Sequence, residues 1–302
     1  MKKKSSGGSL RLSRGQHIFN VFNIIFMLLL IFVTAYPIYY VVIASFSDGG
    51  LLQAHRGLLL YPLGGGTTYG YKLTLSNPNI GIGARNSVFY LLLGTTINVI
   101  ATGLCSYVLS RKDFMLKKAI TIMVMITMFF NGGMIPMFVI IRTLGMYDTI
   151  WALLLPGAIS AYNMIIMRTF FQSIPESLEE AATIDGANDF VILFRIVMPL
   201  SMPIIAVMSL YYGVAHWNSW FNAMLYVRNR QLIPLQLVLR EILLQNADGG
   251  KAASEQMTVE LSLNTELIKY CVIVVSTVPI LCVYPFLQRY FVKGVMIGAV
   301  KG

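Results

Sequence analysis

The chain has 302 residues, of which 56% are hydrophobic and only 12% charged, and its mean hydropathy is +0.69. A soluble domain carries about 25% charged residues, so this composition excludes a water-soluble globule, and its apolar content excludes a disordered chain. The net charge of +10 does not describe a phosphate-binding face. Lys2, Lys3, Lys4, Arg11 and Arg14 crowd the N-terminus and most other cations flank apolar runs, which is the positive-inside pattern of membrane helices and not a nucleic-acid footprint.

Six runs are free of Asp, Glu, Lys and Arg: 15–47, 86–110, 119–141, 149–167, 196–227 and 270–288. Each approaches or exceeds the roughly 20 residues that a helix needs to cross about 30 Å of hydrocarbon. Backbone groups in lipid must bond within their own segment. The runs therefore predict an all-α integral membrane protein of six transmembrane helices, with a basic tail over 1–17, a six-span body over 18–291 and a second tail over 292–302. The first run follows a basic stretch, but its apolar part is longer than the 7–15 residues of a signal peptide and no small-residue cleavage site ends it. It is expected to be retained.

Lys and Arg place both termini in the cytoplasm. With the N-terminus inside, the internal segments hold 14 of the 23 Lys and Arg, Arg111, Lys112, Lys117 and Lys118 among them, and the external ones hold 9. The long external segments are then 48–85 and 228–269. The first, with Gly64, Gly65 and Gly66, reads as an irregular loop. Within the second, 231–245 has apolar residues at helical spacing but is too short to span, and it predicts an interfacial or externally packed helix. Pro37, Pro136, Pro156, Pro203 and Pro279 fall in the spans and predict kinks. Cys105, Cys271 and Cys282 all sit in apolar runs, without a disulfide framework or zinc spacing.

The internal loop 173–200 reads as a helix, a turn and a second helix. Ser173 is a candidate N-cap, Pro175 suits the first turn, and Glu176 and Glu179 complement the positive end of the helix dipole. Gly186 is expected to stop the helix in the left-handed conformation. Asn188 or Asp189 then caps a second helix that ends before Pro199. Ala181 and Ala182 permit close approach by a partner, and Glu180 and Asp185 offer it charge.

Glu180-Ala181-Ala182, then Gly186, Ile196 and Met198-Pro199, resembles the EAA signature of ATP-binding-cassette importer permeases. Met198 stands where that pattern has Leu, a change that conserves volume and apolarity. The likeness extends to 130–163, 216–226, 232–243 and 293–302, which look like carbohydrate importer permeases. The chain is similar to the maltose-importer second permease, and more so to the subgroup serving complex oligosaccharides and polysaccharides, which includes alginate and pectin-fragment importers. The resemblance implies a six-helix permease in a bacterial cytoplasmic membrane. Its partners would be a related second permease, two copies of an ATPase and an extracytoplasmic carbohydrate-binding protein. Glu179, Glu180, Ala181, Ala182, Asp185, Gly186, Ile196 and Pro199 would form the ATPase-coupling loop, and the tail with Gly294, Gly298 and Lys301 would reach the ATPase interface.

No Gly-x-x-x-x-Gly-Lys-Ser/Thr phosphate loop occurs. The chain is thus expected to have no catalytic residue, cofactor or metal of its own, with ATP and Mg held by partner subunits. Sugars bind by stacking on aromatic faces with flanking hydrogen bonds. Asn131, Tyr162, Asn163, Tyr211, Tyr212, His216, Trp217, Asn218, Trp220 and Asn222 are accordingly the candidate translocation path. An interfacial aromatic belt or ordinary packing explains the same residues. The alternative function is an ion-coupled secondary transporter, which the absence of Asp and Glu from the spans disfavours. A membrane enzyme is disfavoured because the acids lack metal-ligand spacing.

Overall fold

The computed structural model describes residues 13–247 and 264–299. The described residues are helical with connecting turns, without strand. In chain order the helices are α1 (Arg14–Ser45), α2 (Gly49–Ala54), α3 (Tyr69–Ser76), α4 (Pro78–Ser110), α5 (Lys117–Phe129), α6 (Met134–Thr143), α7 (Trp151–Leu154), α8 (Ala161–Phe171), α9 (Glu176–Ile184), α10 (Asp189–Ile192), α11 (Met198–Leu200), α12 (Met202–Trp217), α13 (Trp220–Tyr226), α14 (Leu235–Ala247) and α15 (Thr265–Ala299).

Six uniform spans do not describe these helices. Among the described residues, α1, α4 and α15 are long and apolar enough to cross a membrane, and two bent pairs raise the number to five if each pair is one span. The pair α5 and α6 turns by 118° at Asn131-Gly132-Gly133, where Gly133 takes a φ of +86°. The second pair turns by 86° between Leu200 and Met202. The fourth apolar run is broken between α7 and α8, where Gly157 has a φ of +76° next to Pro156. The 11 residues of α8 span only about 16 Å at 1.5 Å per residue. Runs without charge were legible, but glycine and proline divide them. Among the described residues, Pro37, Pro279 and Pro285 lie in helix interiors; Pro203 is in the first turn of α12 and Pro136 in that of α6.

The segment 48–85 is likewise more ordered than an irregular loop. Asp48 caps α2 by accepting from the N–H groups of Gly50 and Leu51. Asn77 caps α4, with Pro78 at its first position, so the second span begins eight residues before the charge-free run. This Asn-Pro start signal was present in the sequence. The same holds at α1, where Ser13 and Gln16 form a reciprocal capping box.

The molecule is organised around α4. Its buried side carries a stripe of small and polar residues, Gly83, Ser87, Gly94, Asn98, Thr102, Ser106 and Ser110, beside buried Ile80, Tyr90, Val99, Tyr107 and Leu109. This stripe packs on α12, α8 and α14. Toward the N-terminal half, Asn86 donates to the carbonyls of Gln231 at 2.7 Å and Ile233 at 3.0 Å. Tyr90 donates to the Leu232 carbonyl at 2.7 Å, and Ser87 accepts from the Leu235 N–H at 2.9 Å. Further along, Thr102 and Tyr212 share a 2.7 Å hydrogen bond, and Ser106 donates to the Met164 carbonyl at 3.0 Å.

Two apolar clusters flank this stripe. One gathers Ile80, Tyr90, Leu154, Trp217, Leu235, Val238 and Val272, so α14 forms where its helical spacing put a helix and, beyond the interfacial or external packing expected of it, buries residues in this core. The other gathers Tyr107, Met167, Phe171, Ile192, Val197, Met208 and Tyr212. By contrast, residues 15–35 of α1 are all exposed. The far end of α1 is held by Tyr36, which accepts from the Leu59 N–H at 2.9 Å, and by Tyr39, which donates to the Leu60 carbonyl at 2.6 Å.

A Cβ at Gly94 would lie 2.4 Å from His216 Nε2. Gly94→Ala is therefore expected to push the imidazole off α4 and cost about 1–3 kcal/mol. Thermal unfolding in detergent checks this. Adding His216→Ala to Gly94→Ala should cost less than the sum of the single changes, because the clash is then gone.

Candidate functional site

The first candidate element is the loop that contains α9. Glu176 and Glu179 occupy its first turn, where carboxylates complement the unsatisfied N–H groups. Its N-cap is Pro175. Ser173 instead donates to the Phe170 carbonyl at 2.6 Å, closing the end of α8. The helix stops as expected: Gly186 takes a φ of +81°, its N–H donates to Thr183 at 3.0 Å, and that of Ala187 donates to Ala182 at 2.9 Å. This pair of bonds is a Schellman stop. Asn188 caps α10 by accepting from the Val191 N–H at 2.9 Å.

The second helix does not end before Pro199. A π-helical turn over Leu193–Val197 leads into α11, which contains Pro199. Proline cannot donate and crowds the carbonyl four residues back, and the wider turn accommodates that crowding. Ile196 packs against the cluster around Tyr107 and Met208, and Pro199 is exposed.

The side chains of α9 divide by face. Glu179 and Ala182 turn inward, while Glu180, Ala181, Asp185 and Gly186 are exposed. Apolar side chains share the outer surface: Ile184 is 86% exposed, Phe190 66% and Leu178 43%. On the inner face Glu179 pairs with Arg111, the residue that ends α4. The Arg111 guanidinium also lies 4.2 Å from the centre of the Tyr107 ring. One turn earlier on α9, Glu176 meets Lys112 at 2.7 Å. The hydrogen bond that Lys112 donates to Glu176 holds its ammonium above the ordinary pKa. Lys117 donates to the last carbonyls of α4, at 3.2 Å to Ser110 and 2.9 Å to Arg111. A cleft of about 820 Å3 opens here, with Lys112, Glu180, Thr183 and Asp189 in its walls.

The second candidate element, the aromatic and amide residues, separates into core and surface. Tyr212 accepts from the Ser160 N–H at 3.1 Å while bonded to Thr102. His216 Nε2 lies 3.1 Å from Asn98 Oδ1, and Trp217 donates to the Ser276 carbonyl at 3.1 Å. All three are buried, as is Asn163. Tyr162 and Tyr211 are exposed, as are Asn218 and Asn222. Asn131 is also exposed and accepts from the Gly133 N–H at 2.8 Å. Trp220 is half-buried beneath the Arg240 guanidinium, 4.5 Å from its ring centre. Gly294 and Gly298 lie within α15, which runs unbroken through residue 292 to Ala299. Lys301 lies outside the described residues.

Residues 6–221 match the family of binding-protein-dependent transport system inner membrane components. The chain belongs to that family. Family membership makes this permease a transport component and replaces the ion-coupled reading. Among its relatives in Bacillus subtilis (strain 168), the polygalacturonan/rhamnogalacturonan transport system permease protein YtcP is 39% identical over 280 residues, covering 92% of this chain and 96% of YtcP. Protein LplC is 37% identical over 293 residues, covering 96% of this chain and 97% of LplC. The permease also superposes, with a TM-score of 0.86 and 31% identity, on a solved chain of a bacterial ABC transporter involved in the import of the acidic polysaccharide alginate. That match covers 94% of this chain and 100% of the other.

Sequence reasoning missed Arg111 and Lys112 as partners of α9. Their placement immediately after an apolar run, with acids at three-residue spacing in the charged loop 173–200, was the available signal.

The division between core and surface has measurable consequences. Tyr212→Phe leaves Thr102 and the Ser160 N–H without a partner, and is expected to cost about 1–3 kcal/mol. Tyr162→Phe on the exposed face should stay within about 0.5 kcal/mol of the native protein. Thermal denaturation of the two purified variants in one detergent makes the comparison.

Proposed function

We propose that the permease is one half of the translocation path of an ATP-driven importer for oligosaccharides or polysaccharide fragments, and that it works through α9 as a coupling helix. One observation carries this reading. A short helix, stopped by a left-handed glycine and tied down along its inner face, presents Leu178, Glu180, Ala181, Ile184 and Asp185 outward. Such a knuckle has small residues for close approach, apolar side chains to bury and carboxylates for a basic partner. The carbohydrate substrate is supported by relatives named for polygalacturonan, rhamnogalacturonan and alginate.

In this reading the chain crosses a bacterial cytoplasmic membrane six times with both ends inside, the broken run over 149–167 that holds α7 and most of α8 providing the fourth crossing. It pairs with a related second permease, two ATPase subunits that hold ATP and Mg, and an extracytoplasmic binding protein that docks against 228–269. ATP-driven closure of the ATPase pair moves α9 and switches the path from outward to inward access, a change between two states biased by differential contacts. The sugar meets the exposed residues Tyr162, Tyr211, Asn218 and Asn222, with Asn131. The buried Tyr212, His216 and Trp217 hold the scaffold behind them. The segment with Gly294, Gly298 and Lys301 approaches the ATPase.

Mass spectrometry of the tagged permease, purified from its native membrane in mild detergent, should find a second permease and an ATPase. Recovery of the chain alone refutes the partner assignment. At Gly186 no atom lies within 4 Å of an added Cβ, so a side chain there projects outward while the backbone bears about 1–2 kcal/mol of left-handed strain. Gly186→Asp should abolish uptake of labelled oligogalacturonides or alginate oligomers. Uptake at the native rate would refute the docking role of α9.

A further inference from the structure

The inner face of α9 carries two carboxylates one turn apart, and each holds one of two consecutive cations at the end of α4. Glu179 engages Arg111 and Glu176 engages Lys112. The two pairs differ in exposure. The side chains of Lys112 and Glu176 are 74% and 57% exposed, those of Arg111 and Glu179 27% and 12%. Salt screens the first pair and leaves the second largely intact. Arg111 is further fixed by the Tyr107 ring, one turn back on α4. Polarity favours the arrangement at both ends, because cations suit the negative C-terminus of α4 and carboxylates the positive N-terminus of α9.

From this clasp α4 runs without interruption for 33 residues, about 50 Å at 1.5 Å per residue. Its opposite end grips the backbone of residues 231–235 through Asn86, Ser87 and Tyr90. A displacement of α9 is therefore handed through a partly buried ion pair to an unbroken helix. The other end of that helix is hydrogen-bonded to the segment that leads into α14. The covalent routes from α9 pass through the turn at Ser173-Ile174-Pro175 and the glycine stop at Gly186, and neither leads directly to α4.

The geometry points to Arg111 as the positioning residue that transmits coupling-helix motion to α4, with Glu179 facing inward as its partner and not outward to the ATPase. The inference rests on α9 being the coupling helix. It adds that the force path runs along α4 to residues 231–235, so that the ATPase cycle is communicated directly to the far face of the permease.

The test uses the full transporter complex in nanodiscs and reads two quantities: the ATPase subunits retained on purification, and the stimulation of ATP hydrolysis by the sugar-loaded binding protein. Arg111→Gln should keep the ATPase subunits bound, while stimulation falls about tenfold, within the range of coupling free energies between sites. The double exchange of Arg111→Glu with Glu179→Arg should restore most of the stimulation, which neither single exchange does. Lys112→Gln should lower stimulation by no more than about twofold, as befits a screened pair.

Native stimulation in Arg111→Gln overturns the inference. Loss of the ATPase from the Arg111→Gln complex also overturns it, because the pair would then be shaping the docking face and not passing motion onward. If the native permease itself retains no ATPase, the coupling-helix reading fails instead, and that result is separate from either outcome for Arg111.

Discussion

The hydrogen-bonded stripe along α4 is the constraint on which the remaining structure depends. Gly83 and Gly94 let neighbouring elements approach the helix axis, and Asn86, Ser87, Asn98, Thr102 and Ser106 bond what arrives there. In lipid, apolar side chains gain little by leaving one apolar surroundings for another, so helices associate through close packing and polar contacts. This explains why the buried side of the central helix carries Asn86, Ser87, Asn98, Thr102 and Ser106 among its apolar residues. His216 shows both devices in one place: its ring lies where a Cβ at position 94 would stand, and its Nε2 meets Asn98.

That reliance on close packing and polar contacts also explains what the sequence made legible. Absence of charge located the apolar runs, because burying an unpaired charge in hydrocarbon is costly. It did not reveal which runs are single helices. The break at Asn131-Gly132-Gly133 and the one at Pro156-Gly157 depend on backbone conformations that an apolar count ignores. The early start of α4 at Asn77-Pro78 is a local capping signal lying between charged residues, outside any charge-free window. Six crossings and a chain of fewer long helices are compatible descriptions of one composition.

The candidate site divides in the same way. The glycine stop after α9 and the acids at its start follow from local rules, and they stand where those rules put them. Which face of α9 turns inward is a tertiary fact, decided by Arg111 and by the packing of Ala182. Among the aromatic residues, adjacency in sequence concealed opposite fates. Tyr211 is exposed and Tyr212 buried because consecutive helical positions point about 100° apart. A cluster of Tyr, His and Trp in one short stretch therefore could not be a single surface.

The stripe on α4 has a consequence for how the chain is made. His216, the partner of Asn98, lies 118 residues further along, and the partners of Asn86 and Tyr90 come later still. At synthesis rates of about 5–20 residues per second, on the order of ten seconds separate the emergence of α4 from that of α12. Through that interval the side of α4 richest in amide and hydroxyl groups lacks the partners of Asn86, Ser87, Tyr90 and Thr102, and only Gly157 and Met164 of α8 and the turn before it arrive earlier, to meet Asn98 and Ser106. It must wait against water, headgroups or the insertion machinery. α1 needs no such shelter, since its apolar surface is complete when it emerges. Assembly is thus a matter of holding α4 until its neighbours exist, and a chain arrested before Trp217 would leave a membrane helix displaying an unfinished interface.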